Sequence, residues 1–295
     1  ILTDGISYQP YAEISNSFGS YNTRKNTIKF STGKINDYFE LSGRLSKIDS
    51  DGYVDRAFSD LKSYFIQGAY IKGSTLIKAL SFGGHEKTYQ SWYGLTLDEI
   101  QENRRQNPYT YENEIDNYKQ DHYQLHWNEK IDNFWSFNLG LNYTYGRGYF
   151  EQYREDDEIE TYGGIVASDK NINGDETGTT DLIRRRWLDN DFYVFNSSFN
   201  YVKNKIDLTV SSSYSSYIGD HYGEVIWART LSTTGKIRDR YYEGLGEKKD
   251  LSFFAKLLYS INEKFEFYGD LQFRNIKYNT SGLNSDLVNM VINQS

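Results

Sequence analysis

The stretch Tyr123–Tyr145, YQLHWNEKIDNFWSFNLGLNYTY, decides the fold. It predicts two strands that reverse direction around Ile131–Asn133. Large apolar residues occupy every second position of the later strand: Trp135, Phe137, Leu139, Leu141, Tyr143 and Tyr145. Period two places them on one face and the intervening hydroxyls, amides and glycine on the other. A soluble sandwich would bury the apolar face against a second sheet, whereas a membrane barrel would turn it to lipid between two aromatic girdles.

The same alternation recurs along the chain and predicts eleven strands. Outside the hairpin they lie at Pro10–Ser20, Arg24–Thr32, Phe39–Ser46, Leu61–Ile71, Thr75–Gly83, Tyr193–Tyr201, Ile206–Tyr214, Leu251–Ile261 and Phe265–Thr280. From strand three onward, each odd strand is followed by a longer connection and each even strand by a tight turn. The three longest predicted loops are Gly84–Asn117, Gly146–Asn190 and Gly219–Lys248. Long loops gathered at one end are typical of an outer-membrane barrel, whereas a sandwich distributes them between both ends.

Composition narrows the class of function. Aromatic residues make up 17% of the 295 residues, and the net charge of −8 argues against a nucleic-acid partner. A mean hydropathy of −0.74 is compatible with a barrel, because alternating strands average out as polar. The chain has no cysteine, so neither disulfides nor thiolate chemistry are expected. No nucleophile elbow, HExxH or phosphate loop occurs, so we expect neither an enzyme nor a bound cofactor.

Several segments resemble TonB-dependent outer-membrane receptors, and their sequences are most similar to those of the Bacteroidetes-type proteins. They are Ile1–Asp4 (ILTD), Phe18–Thr23 (FGSYNT), Gly43–Ala57, Tyr64–Tyr70 and Thr75–Gly94. The resemblance covers most of the strands but not the long loops. It implies an all-β, antiparallel up-and-down transmembrane barrel of 22 strands around a plug. About 11 strands are expected here, with residues 1–9 as the end of a plug or linker and 10–295 as the N-terminal half of the barrel.

The absence of a plug and of further strands predicts a barrel fragment. Because diameter grows with strand number, strand one and strand eleven should lie far apart, and the residues beyond Asn279 should lead toward another strand. A closed eleven-stranded barrel is the less favoured alternative, since an open sheet in lipid would leave unpaired edges.

The resemblance also implies import of a scarce nutrient, such as a ferric siderophore, cobalamin or a glycan, across the outer membrane of a Gram-negative bacterium. The implied partners are outer-membrane lipid and lipopolysaccharide, the plug, the remaining strands and a TonB-type energy coupler of the inner membrane. The extracellular loops would capture the small-molecule or glycan ligand. The alternative function is a secreted or surface glycan-binding module or adhesin without transport, which would not require detergent.

Aromatic residues in or near the predicted loops are candidate ligand contacts. They are Tyr89, Trp92, Tyr93, Tyr149, Tyr153, Tyr162 and Trp187. Such rings can stack on a ring-bearing ligand, although an interfacial girdle or packing within the loops would also account for them. The triplet Arg184, Arg185 and Arg186 could bind an anionic substrate or lipopolysaccharide phosphates. It could equally balance the acids of Glu155–Glu158 and Glu160 in a solvated loop.

One short motif resembles the opening of a calcium loop. Asp169, Asn171, Asn173 and Asp175 stand at alternate positions around Gly174, in the order D-x-N-x-N-G. Oxygen ligands at this spacing can surround a hard cation. The twelfth position carries Thr180 instead of a bidentate glutamate, with Asp181 beside it. The motif is therefore compatible both with a structural calcium site and with an ordinary polar turn.

Overall fold

A computed structural model describes residues 5–294 as one sheet in which each strand pairs antiparallel with its neighbours in sequence. The strands are β1 (Tyr11–Phe18), β2 (Arg24–Ser31), β3 (Phe39–Ser50), β4 (Ser59–Lys72), β5 (Thr75–Tyr89), β6 (Ile115–Lys130), β7 (Trp135–Glu158), β8 (Thr179–Lys203), β9 (Ile206–Ala228), β10 (Arg240–Asn262), β11 (Phe265–Gly282) and β12 (Ile292–Gln294). All eleven predicted strands are present. The predicted family segment Ile1–Asp4 lies outside the described residues.

The opening hairpin forms as predicted. β6 and β7 pair so that Leu125 faces Leu141 and Trp127 faces Leu139. The reversal is fixed by Asp132, whose carboxylate accepts the backbone N–H groups of Phe134 and Trp135 at 2.7 and 2.8 Å. A short acidic side chain at this position favours such a turn because it bonds the backbone just ahead of it.

The apolar face of the sheet is not covered by a second sheet. We call this face, which carries Trp135 and Phe137, the outer face, and the opposite polar face the inner face. None of the predicted band residues on the outer face is buried: Trp135, Phe137, Leu139, Tyr193, Phe199, Leu208, Leu257 and Phe267. Aromatic rings pair across strands at both ends of the band, as with Tyr143 and Tyr193 at one end and Trp135 and Tyr201 at the other. This arrangement confirms the barrel architecture over a sandwich.

The strands extend further toward the loop end than the sequence predicts. β7, β8, β9 and β10 have 24, 25, 23 and 23 residues, whereas about 9–11 suffice to cross a membrane. The three predicted loops shrink accordingly to 90–114, 159–178 and 229–239. The predicted bounds were wrong because polar strands that pair with each other above the apolar band carry no apolar alternation to reveal them.

The alternation of long loops and tight turns is confirmed. The turns at 73–74, 131–134, 204–205 and 263–264 join strands at one end of the sheet, and loops 90–114, 159–178 and 229–239 join them at the other. The first of these loops contains helix α1 (Leu97–Asn103), where the sequence predicts only a polar loop. Its capping box joins Thr96 and Glu99. No helix among residues 5–294 has the length and apolarity to cross a membrane.

β1 and β11 lie on opposite sides of the sheet order. Among the described residues β1 pairs with β2 alone, and the short strand β12 adds to the free side of β11. The prediction that strand one does not close on strand eleven is therefore confirmed. Preceding β1, residues 5–10 cross the turn end of the sheet, where Ser7 N–H donates to the buried Glu40 carboxylate at 3.4 Å.

Candidate functional site

The three consecutive arginines lie within β8 rather than in a loop. Strand alternation separates them, so Arg184 and Arg186 point to the inner face while Arg185 and Trp187 point to the outer face. One ligand therefore cannot engage all three side chains from one side of the sheet. This corrects the prediction of a single basic loop segment.

Arg184 is a buried structural residue. Its guanidinium donates to the hydroxyl of Tyr162 at 3.1 Å and to Gln152 at 3.1 Å, and it lies 3.8 Å from the Asp157 carboxylate. Tyr162 is fully buried in an apolar cluster and donates in turn to Asp157. Burial favours the neutral carboxyl, but hydrogen bonds from Arg154 and Tyr162 hold the pKa of Asp157 below its usual value. Arg184 and Tyr162 thus hold loop 159–178 on the sheet and are not available to a ligand.

Arg186 belongs to a more open group on the inner face at the loop end, which we call the mouth cluster: Trp92, Phe150, Arg186 and Tyr241. The guanidinium of Arg186 lies 5.8 Å from the centre of the Phe150 ring and donates to the Tyr241 hydroxyl at 3.3 Å. Trp92 meets Phe150 edge-on at 5.6 Å and is 59% exposed. Tyr241 itself is buried, whereas Arg186 and Phe150 are partly exposed. A guanidinium beside accessible aromatic rings can pair with an anion and stack on a ring at once.

The other aromatic candidates divide between the loop and the outer face. Tyr93 is exposed against Tyr109 in loop 90–114, whereas Tyr89 is buried and donates to the carbonyl of Tyr111. Tyr149, Tyr153 and Trp187 lie in strands on the outer face. Arg185 covers the Tyr149 ring at 4.2 Å and pairs with Glu151 at 2.7 Å. Of the predicted ligand residues, the structure brings together Trp92 and Arg186 at the mouth, with Tyr93 on the same loop.

A buried polar network fastens loop 90–114 to the strands below it. Asn107 donates to the carbonyl of Gln90, which donates in turn to the carbonyl of Glu151. Tyr111 donates to the Glu151 carboxylate at 2.6 Å. Glu114 accepts the Tyr153 N–H at 3.1 Å, and its other carboxylate oxygen is buried without a hydrogen bond. Burial raises the pKa of Glu114 to about 7.

The calcium-like motif forms a self-contained turn. Asn171 accepts the backbone N–H groups of Asn173 and Asp175 at 2.9 and 3.0 Å. The Asp169 carboxylate is turned away from them and accepts from Thr180, Thr230 and Arg229. Within residues 5–294 no group of three or more His, Asp or Glu side chains could hold a metal ion. The contacts favour the polar turn over a calcium site, because the best oxygen ligand already serves a cation and two hydroxyls.

A recess lies on the inner face between β9, β10 and β11 near the loop end. Its volume is about 350 Å³, and its lining includes Tyr217, His221, Tyr242, Tyr278, Leu283 and Met290. Gly219, Gly244 and Gly246 form part of its wall, so the space exists because three neighbouring positions lack side chains. Thr280, whose buried hydroxyl has no partner among the described atoms, also faces it.

Phe150, Tyr241 and Glu114 are site residues that the sequence pattern did not indicate. The sequence pattern predicts Phe150 in a loop. In the structure it lies in β7, on the inner face together with Gly146 and Gly148. Tyr241 had no signal of its own, because its neighbours become apparent only when loop 159–178 folds onto β10. Helix α1 did have a signal: Thr96 and Glu99 form the S/T-x-x-E capping-box pattern.

Comparison with known proteins identifies the architecture. Neither a family model nor a curated protein matches the chain. Among solved structures, the ferric-catecholate import receptor Fiu from E. coli K12 in its open form aligns with 96% of this chain at a TM-score of 0.70 and 10% identity. The ferripyoverdine receptor of the outer membrane of Pseudomonas aeruginosa aligns with 99% at 0.67 and 10% identity. The ferric citrate transporter FecA aligns with 95% at 0.64 and 12% identity.

The chain spans 47%, 39% and 40% of those three proteins, so it corresponds to less than half of each. All three are named as receptors or transporters rather than enzymes. At such low identity the likeness concerns the fold alone. The described residues therefore have the architecture of part of an outer-membrane receptor barrel.

Proposed function

We propose that this chain forms part of the barrel of a TonB-dependent receptor in the outer membrane of a Gram-negative bacterium. The fold supports this proposal, because the uncovered apolar band needs lipid and the long strands raise the loops well beyond it. The secreted adhesin or glycan-binding module is less favoured, since such a protein would have to expose the same band to water. The Bacteroidetes-type assignment stays a prediction from the sequence segments.

The mouth cluster supports a ferric siderophore ahead of cobalamin or a neutral glycan as the imported nutrient. Arg186 supplies a fixed positive charge beside the Phe150 ring and the Tyr241 hydroxyl, and the exposed Trp92 packs against Phe150. Anionic chelates that contain aromatic rings, such as ferric catecholates, offer both the charge and the faces that this group would recognise. A neutral glycan would use the rings but would have no use for the guanidinium.

The remaining parts of the proposed mechanism follow from the family resemblance. The plug would occupy the inner face, and the TonB-type coupler would act through it from the inner membrane. The contact of Ser7 with Glu40 is consistent with residues 5–9 leading from a plug to the barrel. No cofactor is proposed, because the iron of a siderophore would be cargo.

Growth of a deletion strain provides the test. The strain should fail to grow on the cognate ferric siderophore as sole iron source and recover when the full-length receptor is restored. In that receptor, Arg186→Gln should weaken ligand binding by about ten-fold or more, because a desolvated charge contact is lost. Arg24→Gln, which removes an exposed guanidinium from the outer face of β2, is the matched control and should bind normally. Growth defects confined to cobalamin or a glycan would reassign the substrate, and normal growth on every source would refute import.

A further inference from the structure

Basic residues form a row across five adjacent strands on the outer face. We call Lys47, Lys62, His85, Lys119 and Arg147 the basic row. Each member stands directly opposite the next: Lys47 faces Lys62, Lys62 faces His85, His85 faces Lys119, and Lys119 faces Arg147. Since neighbouring strands lie about 4.8 Å apart, the row is about 19 Å long.

The row borders the apolar band. On β3 and β4 its members lie two residues beyond Leu45 and Tyr64, the last large outer-face residues at the loop end, and on β7 Arg147 lies two residues beyond Tyr145. The same register position changes sign further along the sheet, where β8 and β9 carry Asp189 and Asp220. The basic character is therefore local to β3–β7 and is not a general property of the loop end.

Like charges placed directly opposite each other destabilise a sheet, so the positive charges of the row need anions nearby. Nearby carboxylates supply part of it: Lys47 with Asp49 at 2.9 Å, Lys62 with Asp60 at 3.6 Å, Lys119 with Asp121 at 2.9 Å and Arg147 with Asp189 at 3.2 Å. The four basic side chains nonetheless remain about half exposed, from 46% for Lys47 to 62% for Lys119. Exposed pairs of this kind are weak, and an ammonium group retains N–H donors for a second anion.

A recess of about 450 Å³ lies beside four members of the row. Lys47, Lys62, His85 and Lys119 line it on the side away from the band, and Ile28, Leu45 and Tyr64 are among its apolar lining. Gly83 lies between two of the lining residues and has no side chain. A Cβ there would lie 2.5 Å from the Asp121 carboxylate and 3.0 Å from the Tyr64 ring, so a larger residue would displace them. The surface thus offers cations and apolar contact to one amphiphilic molecule.

We propose that the basic row binds the phosphate groups of a phosphorylated glycolipid in the outer leaflet, with the recess receiving the start of an acyl chain. This inference rests on the proposed function, which sets the outer face in the outer membrane. It replaces the expectation that Arg184–Arg186 would meet lipopolysaccharide phosphates, since two of those side chains point inward. Anionic headgroups lie at the border of the hydrocarbon, which is where the row is found.

The test uses the full-length receptor purified in mild detergent. Its affinity is measured for micelles containing phosphorylated lipid A, dephosphorylated lipid A or neither, with inorganic phosphate as a competitor. The variant Lys47→Gln/Lys62→Gln/Lys119→Gln should bind phosphorylated micelles at least about ten-fold more weakly than wild type, and wild-type binding should fall as salt is raised. The control Lys72→Gln/Lys130→Gln/Lys264→Gln makes the same change of net charge at the turn end and should keep wild-type affinity.

Equal wild-type affinity for both forms of lipid A would overturn the proposal, as would an unchanged affinity of the row variant. Displacement by millimolar inorganic phosphate would show a site for a small anion instead of a headgroup. Should the triple variant fail to fold, the single variants Lys62→Gln and Lys119→Gln carry the comparison. Growth on ferric siderophores is measured separately from lipid binding. A receptor that binds lipid A but does not support growth would refute the proposed transport function and leave the proposed lipid site intact.

Discussion

Single residues have consequences that depend on which face of the sheet they occupy. Leu139 lies in the middle of the outer apolar band, with Trp127 and Ser197 as its cross-strand neighbours. Asn138, one residue earlier, lies on the inner face and donates to Ser198 at 3.3 Å. The two positions therefore form a natural pair for testing which side meets lipid.

Leu139→Lys is expected to destabilise the membrane-inserted receptor by about 2–4 kcal/mol, because the charge would enter the hydrocarbon near its midplane. Denaturant unfolding in lipid vesicles measures the change. Asn138→Lys should cost clearly less, because that side chain faces the polar interior. Equal costs at both positions would contradict the assignment of the faces.

Glu114 makes the attachment of loop 90–114 depend on pH. Burial raises its pKa to about 7 from a usual value of 4.5, so the docked state holds a proton that the undocked state has released. Docking of the loop is therefore strongest below pH 4.5, weakens as the pH rises from 4.5 to about 7, and changes little at higher pH. Hydrogen exchange of the loop amides should therefore be slower at pH 5 than at pH 8.

Glu114→Gln should remove most of this pH dependence and slow exchange at pH 8, because the amide stays neutral. The exposed Glu112→Gln is the control and should behave as wild type. A wild-type loop that exchanges equally at both pH values, after correction for intrinsic rates, would exclude this role of Glu114.

At the level of elements, the two ends of the sheet differ in what they present to the outside. Trypsin added to intact cells should cleave the long loops at exposed basic residues, Arg104, Lys170 and Lys236, because these loops face the medium. The turns at Lys205 and Lys264 are equally exposed on the protein but would face the periplasm. They should be cut only after the outer membrane is permeabilised, as mass spectrometry of the peptides would show. Early cleavage confined to the turns would invert the topology.

At the level of the whole molecule, the open sheet determines how residues 1–295 should behave alone. Every residue of β1 is exposed, and within the described chain its second edge has no strand partner. Such an edge invites pairing with another copy, and the apolar band adds to the tendency. The isolated chain is expected to aggregate in detergent-free buffer, as judged by light scattering. A monodisperse monomer without detergent would argue against both the open edge and the lipid-facing band.

The sequence by itself determined the strands that cross the apolar band and the order of loops and turns. Period-two alternation is a local property, and the hairpin from Tyr123 to Tyr145 carries it without help from distant residues. What only the tertiary structure decided lies above the band. There, polar strands are held by cross-strand pairing, which the sequence of one strand does not reveal. The mouth cluster and the basic row depend on register, since Arg186 meets Tyr241 and Lys62 meets Lys47 only once separate strands align.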